Sequence, residues 1–248
     1  MINNFPLTNI YEKPLRNSKL SSQMIYGEKF KIISQKRNWF KIKTSFDHYI
    51  GFIKKNNYLK KLKPTHKVFT KKTPIFTKNK NRFMITKKFL YFSSKIETKK
   101  TEKNFIEYEK NQWIKSSDTK KITHKEKNFS KILKSFINTK YLWGGKSADG
   151  IDCSALIQIF FYYNNKFFHR DTKDQIKNLK KIKIRNNYDK KQLIFWPGHV
   201  AYCLDKKLLI HAYGPKKKVL IMNIKKTIRE IEYKSRLKVK GIRKINVN

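Results

Sequence analysis

The chain predicts an α+β architecture, and three observations carry that prediction. Short, nearly alternating apolar segments separated by turn residues fill residues 11–63. A glycine-bearing stretch, WGGKSADGID, hands over at residue 153 to apolar residues at helical spacing. Two short apolar runs, residues 200–204 and 208–210, flank a polar Asp205-Lys206-Lys207 and read as a β-hairpin. With 248 residues there is room for two or three modest domains, each with its own core.

Within residues 11–63 the candidate strands are SSQMIYGEKFKII, then Asn38-Trp39-Phe40-Lys41-Ile42-Lys43, then Tyr49-Ile50-Gly51-Phe52-Ile53. Short strands with turns between them predict a compact barrel. Residues 64–123 read as a degraded second copy. Thr65-His66-Lys67-Val68 opens it and Gln112-Trp113-Ile114 supplies a late strand, in a stretch rich in lysine and poor in turn signals.

The run YLWGGKSADGIDCSAL, residues 141–156, is the most informative stretch. After Cys153, Leu156, Ile159, Phe160 and Tyr163 draw a stripe on a helix and not on a strand. Asp152 is a suitable cap, so Cys153 falls in the first helical turn. Unpaired backbone N–H groups and the positive end of the helix dipole there favour a thiolate, the reactive form. The bland alternative is a small buried hydrophobe.

Two histidines, His199 and His211, stand at the ends of the predicted hairpin. Pairing symmetric about Asp205 sets them opposite one another, with Cβ atoms about 5 Å apart. One imidazole then holds the other in a fixed tautomer and orientation. A cysteine at a helix start, a base and an orienting group form the minimum set for covalent acyl transfer. Cys203, four residues after His199, shares its face by parity and reads as a buried structural residue. A zinc site from these cysteines and histidines is conceivable on residue types, but no paired-ligand motif supports it. The expectation is therefore no metal and no cofactor.

From about Phe129 to Ile231 the chain resembles the NlpC-type cell-wall cysteine peptidases. The matching pieces are Tyr141-Leu142-Trp143-Gly144-Gly145, Asp152-Cys153-Ser154, Arg170-Asp171-Thr172 with Gln175, Phe195-Trp196-Pro197-Gly198-His199-Val200 and Ile210-His211-Ala212. The resemblance implies a papain-like catalytic domain, with a cysteine-bearing helix on an antiparallel sheet. It implies Cys153 as nucleophile, His199 as general base and acid, and His211 as the residue that orients His199. It further implies that Tyr141 points its hydroxyl toward the sulfur or the substrate. By the same resemblance Asp152 and Ser154 help bind the free amino group of a stem peptide. Arg170 is either a contact for a substrate carboxylate or an exposed loop residue. Gln23-Met24-Ile25-Tyr26-Gly27-Glu28 and the Gly51-Phe52-Ile53 strand resemble a bacterial SH3-like domain. The implied organisation is SH3-like barrels at residues 1–63 and 64–123, then the peptidase domain at 124–248. Departures from the family pattern are Lys191-Gln192 where Gly-Asp is usual, Ala155 for glycine and His169 for proline. None removes a member of the implied triad.

The activity implied is cleavage of peptidoglycan stem peptides or muropeptides, most often between γ-D-glutamate and a diamino acid. An amidase or acyltransferase with the same triad is one rival. A non-catalytic basic module that binds cell-wall polymer is the other. Lys+Arg 60 against Asp+Glu 17 gives a formal net charge of +43, which ordinarily points to an anionic partner. The lysines are spread from end to end, and no arginine-rich stripe, zinc-finger spacing or RNA-binding aromatic motif points to specific nucleic acid. Part of that charge is read as the imprint of an A/T-rich genome. The two cysteines argue against a disulfide scaffold. MINNFPLTNIYEKPL lacks the basic head and apolar core of a secretory signal, and no apolar run is long enough to span a bilayer, so the expected location is cytoplasmic.

Overall fold

Alternation in the first part of the chain makes strands because each can bury one face and solvate the other. Leu7–Tyr11, Leu20–Ile25, Phe30–Lys36, Trp39–Thr44 and Ile50–Lys54 form a five-stranded antiparallel sheet. Ile10, Met24, Phe30, Ile42 and Ile53 fill its core. The computed structural model describes residues 1–183 and 187–245. It divides into two compact units, Met1–Lys125 with Lys146–Ala148, and Glu126–Gly145 with Asp149–Asn248.

The first unit is all-β, as expected of SH3-like domains, and its five-stranded sheets are open, with no closed barrel among the described residues. Leu20–Ile25 and Phe30–Lys36 are consecutive in sequence, yet they form the two unpaired edges of their sheet. Residues 1–3 take up the hydrogen bonds there instead. Asn3 Nδ2 donates to the carbonyls of Met24 (3.2 Å) and Ile25 (3.0 Å), and Phe30 N donates to Met1 O at 2.9 Å. The N-terminal segment thus satisfies backbone groups of Met24, Ile25 and Phe30 at those edges. The second sheet of this unit is also open, in the order Lys100–Glu102, Phe105–Glu109, Gln112–Lys115, Lys72–Asn79, Arg82–Tyr91. A three-stranded sheet of Thr119–Lys121, His66–Val68 and Lys95–Ile96 accompanies it, over a core that includes Val68, Ile75, Leu90, Ile106 and Ile114.

Among the described residues the second unit holds a six-stranded antiparallel sheet and four α-helices. Its order is Lys180–Ile182, Gly241–Lys244, Gln192–Trp196, His199–Cys203, Leu208–Tyr213, Lys218–Asn223. The helices are α1 (Phe129–Ser135), α2 (Cys153–Tyr163), α3 (Thr172–Gln175) and α4 (Ile224–Ser235). Phe129 of α1 packs against Phe160 of α2 (ring centroids 4.6 Å apart) and Tyr202 of the sheet (4.7 Å). Ile224 and Ile231 of α4 join Ala201, Cys203 and Leu209 in a second core. Tyr202 and Cys203 are successive strand residues, so the two helix layers cover opposite faces of the sheet.

Helix α2 forms where expected, but it is not a one-stripe surface helix: all eleven residues are buried. Its remaining sides are covered locally. Phe161 stacks on Phe168 at 4.1 Å, and Gln158, fully buried, donates from Nε2 to Phe168 O. A helix enclosed on every side is held rigidly, which fixes the position of its first residue. Among the described residues no helix is long and apolar enough to cross a membrane.

Candidate active site

The segment before Cys153 is built around the cap. Asp152 Oδ1 accepts from Ala155 N at 2.8 Å, the N-cap bond that starts α2. Its Oδ2 accepts from Gly144 N at 3.0 Å, which draws the Trp143-Gly144-Gly145 turn onto the helix start. Gly144 has φ +73°, a left-handed conformation natural to glycine. At Gly145 a Cβ would lie 2.5 Å from Gly150 O, so no side chain fits.

His199 is placed by a different device. The strands Gln192–Trp196 and His199–Cys203 are joined by Pro197 and Gly198, with Trp196 paired to His199. Gly198 takes φ +72°, the positive value a Pro-Gly turn needs at its second central position. The Cys153 thiol lies against this turn, donating to Gly198 O at 3.9 Å. Val200 N–H donates in turn to the sulfur. The sulfur therefore rests on the backbone on both sides of His199.

The two histidines meet: His199 Nε2 is 3.0 Å from His211 Nδ1. The hairpin register that brings them together differs from the expected one. Tyr202 pairs with Ile210 and Cys203 with Leu209, so the hairpin is centred on Lys206 and not on Asp205. Asp205 causes this by accepting from Lys207 N (2.7 Å) and Leu208 N (2.8 Å), which builds the turn beyond itself. Extended by the same register, position 199 faces 213, and His211 is its diagonal neighbour on the same face. Diagonal pairs remain within reach of ring side chains. Tyr213 occupies the facing position, stacked on His211 at 4.7 Å with 11° between the planes. Trp196 flanks His199 from the other side at 5.5 Å.

The electrostatics also depart from the sequence expectation. Burial pushes the Cys153 thiol up to about 12, and the Asp152 carboxylate adds to the rise. The N–H groups of Val200 and Ser154 act the other way but do not win. Burial lowers His199 to about 4 and His211 well below its ordinary value. At neutral pH the resting site thus holds a thiol and two uncharged imidazoles. His199 Nε2 is engaged by His211, which leaves Nδ1 as the ring nitrogen outside that contact.

Arg170 is buried, 3% exposed, which corrects the exposed-loop alternative. Its Nη1 and Nη2 bond to Asp152 Oδ1 (3.0 Å) and Oδ2 (2.7 Å) as a fork, and Nη1 also donates to Ser154 Oγ at 2.8 Å. Ser154 Oγ donates to Asp152 Oδ1 at 3.1 Å. Asp152, Ser154 and Arg170 are thus one buried network beside Cys153. Burial and then the charges of Cys153 and Asp152 raise the Tyr141 hydroxyl, which lies close enough to feel the sulfur. Cys203 is fully buried in the α4 core, away from this chemistry. Two residues absent from the sequence expectation join the site: Tyr213 and Met222, whose Sδ is 3.3 Å from His211 Nε2. Parity with His211 marks Tyr213 in the sequence, whereas Met222 depends on pairing with a further strand.

Residues 138–237 match the model of the NlpC/P60 family, and residues 10–57 match the bacterial dipeptidyl-peptidase Sh3 domain. Dipeptidyl-peptidase 6 of Lysinibacillus sphaericus is 26% identical over 231 residues, covering 83% of this chain and 84% of that protein. Gamma-D-glutamyl-L-lysine dipeptidyl-peptidase of Bacillus subtilis is 22% identical over 235 residues, covering 86% and 79%. The crystal structure of an NlpC/P60 family protein from Bacillus cereus gives a TM-score of 0.79 at 16% identity and 98% coverage of both chains, a likeness of fold. The chain therefore carries an NlpC/P60 family domain over residues 138–237, preceded by a bacterial SH3 domain over residues 10–57.

Proposed function

We propose that this protein is a cysteine peptidase that hydrolyses peptidoglycan stem peptides at the bond between γ-D-glutamate and a diamino acid. The observation that carries this reading is the Cys153 sulfur against the backbone flanking His199, with His199 Nε2 3.0 Å from His211 Nδ1. The names of the two relatives, both dipeptidyl-peptidases and one a gamma-D-glutamyl-L-lysine enzyme, support the class of bond.

In this reading Cys153 gives its proton to His199 Nδ1, and the sulfur adds to the γ-D-glutamyl carbonyl. Backbone N–H groups at the start of α2 hold the oxyanion. Collapse of the tetrahedral species breaks the C–N bond, and His199 returns the proton to the leaving amine. A thioester remains. Water, deprotonated by His199, attacks it and releases the acid and the thiol. Asp152, Ser154 and Tyr141 sit beside the nucleophile, where the stem's N-terminal amine is received. Arg170 acts through Asp152, whose carboxylate it holds, and not on a substrate carboxylate. The residues ahead of this domain contribute SH3-like domains at 1–63 and 64–123.

L-Ala-γ-D-Glu-diaminopimelate is the discriminating substrate. Purified protein releases L-Ala-γ-D-Glu, and C153A does not. Hydrolysis by C153A at the wild-type rate removes the proposal. Product masses other than the dipeptide and the free diamino acid assign the amidase or acyltransferase class instead.

A further inference from the structure

Met222 lies in Lys218–Asn223, opposite Leu209 and diagonal to His211, which itself pairs with Leu220. The polar atoms within hydrogen-bond reach of the His211 ring, among the described residues, are His199 Nε2 at 3.0 Å and Met222 Sδ at 3.3 Å. A thioether offers lone pairs and no proton. Its contact with His211 Nε2 is a hydrogen bond only when the imidazole proton sits on Nε2. A neutral imidazole carries a single N–H, so His211 Nδ1 is then a bare acceptor. His199 Nε2 must donate to it. That assignment leaves His199 Nδ1 without a proton, on the nitrogen that faces away from His211.

The opposite tautomer of His211 reverses each step. Its bare Nε2 would oppose the sulfur lone pairs, its Nδ1–H would donate to His199 Nε2, and His199 would carry its proton on Nδ1. A base so protonated cannot receive the proton of Cys153. Tyr213, stacked on His211 at 4.7 Å and 11°, holds the ring plane in which both contacts are made. The side chains across the sheet at this point, Leu209 and Leu220, are hydrocarbon and offer no alternative acceptor.

We infer that Met222 is a positioning residue, whose thioether selects the His211 tautomer that leaves His199 Nδ1 free to accept the Cys153 proton. This rests on the acyl-transfer role proposed above for Cys153 and His199. It differs from that role in being readable without turnover.

The test is the nitrogen spectrum of the imidazoles. In ¹⁵N-labelled C153A protein, correlation through the ring protons reports which nitrogen of each histidine carries hydrogen. Protonated Nε2 and bare Nδ1 are expected at both His199 and His211. In C153A/M222L, which keeps the side-chain bulk and removes the acceptor, His211 is expected to show both tautomers in exchange. A proton on His211 Nδ1 in the C153A protein, or an unchanged tautomer with leucine at 222, overturns the inference. In the active protein M222L is expected to lower kcat about fivefold with KM unchanged, the effect of losing one neutral hydrogen bond. An unchanged kcat also overturns it. If the tautomers are as stated but the wild-type protein cleaves no stem peptide, the proposed reaction fails and the assignment of Met222 to His211 stands.

Discussion

Replacing Arg170 with methionine removes a buried cation and leaves its partner in place. Arg170 and Asp152 are 3% and 6% exposed, and two N–H···O bonds of 3.0 and 2.7 Å join them. In R170M the Asp152 carboxylate keeps Gly144 N, Ser154 Oγ and Ala155 N as donors but has no opposite charge. Stranding one member of a buried ion pair costs about 3–5 kcal/mol. Divided by a urea m-value of about 2 kcal/mol/M, the middle of that range moves the unfolding midpoint down by roughly 2 M. Fully buried Cys203 reports unfolding of this unit directly, by labelling in urea in a Cys153→Ala background. The double variant D152N/R170M keeps a capping side chain and buries no charge, so it should be more stable than R170M alone. A midpoint shift below roughly 0.5 M for R170M, or a double variant that costs the sum of the singles, refutes the account of Arg170 as the residue that holds the cap.

The histidines set a pH dependence of stability. His199 is lowered to about 4 in the folded protein, so between pH 6.5 and 4 the unfolded chain binds more protons. Stability should be complete above pH 6.5 and fall by about 3 kcal/mol as pH drops through that window, with His211 adding in the same direction. Urea titrations that are flat from pH 7 to 4 would contradict this. Iodoacetamide should alkylate Cys153 with a rate that rises about tenfold per pH unit from 6 to 9, as for a neutral thiol held up to about 12. A plateau beginning near pH 5 would instead reveal a resting thiolate–imidazolium pair. Gly145→Ala drives a Cβ to 2.5 Å from Gly150 O and should lower the urea stability of the unit by about 1–3 kcal/mol. An unchanged midpoint would mean that the Gly144-Gly145 turn yields freely.

The start of α2 was readable in advance because everything that makes it is local: glycines ahead, Asp152 as cap, apolar residues at helical spacing after Cys153. The hairpin was readable for the same reason, but its centre was not. Asp205 moved it by one residue through two side-chain bonds to the backbone. The contact survived because strand faces repeat every two residues: His199 and His211 kept a common face and met diagonally. The charge state of Cys153 was not legible in the sequence, because a helix dipole is a local property and burial is not. Arg170 could be picked out by type, but its partner stands 18 positions earlier and its burial depends on the packing around it.

By itself, the order of residues determined which side chains could do chemistry and the local elements that carry them: Cys153 on a capped helix and two histidines on one strand face. Tertiary packing decided whether the site rests charged or neutral, because enclosing the sulfur and both imidazoles removes the water that would stabilise their ions. It also decided how the first sheet ends, since residues 1–3 fill an opening that strand propensity alone would have left to pair. Propensity and spacing act over a few residues, whereas solvation and register are settled only when distant segments meet.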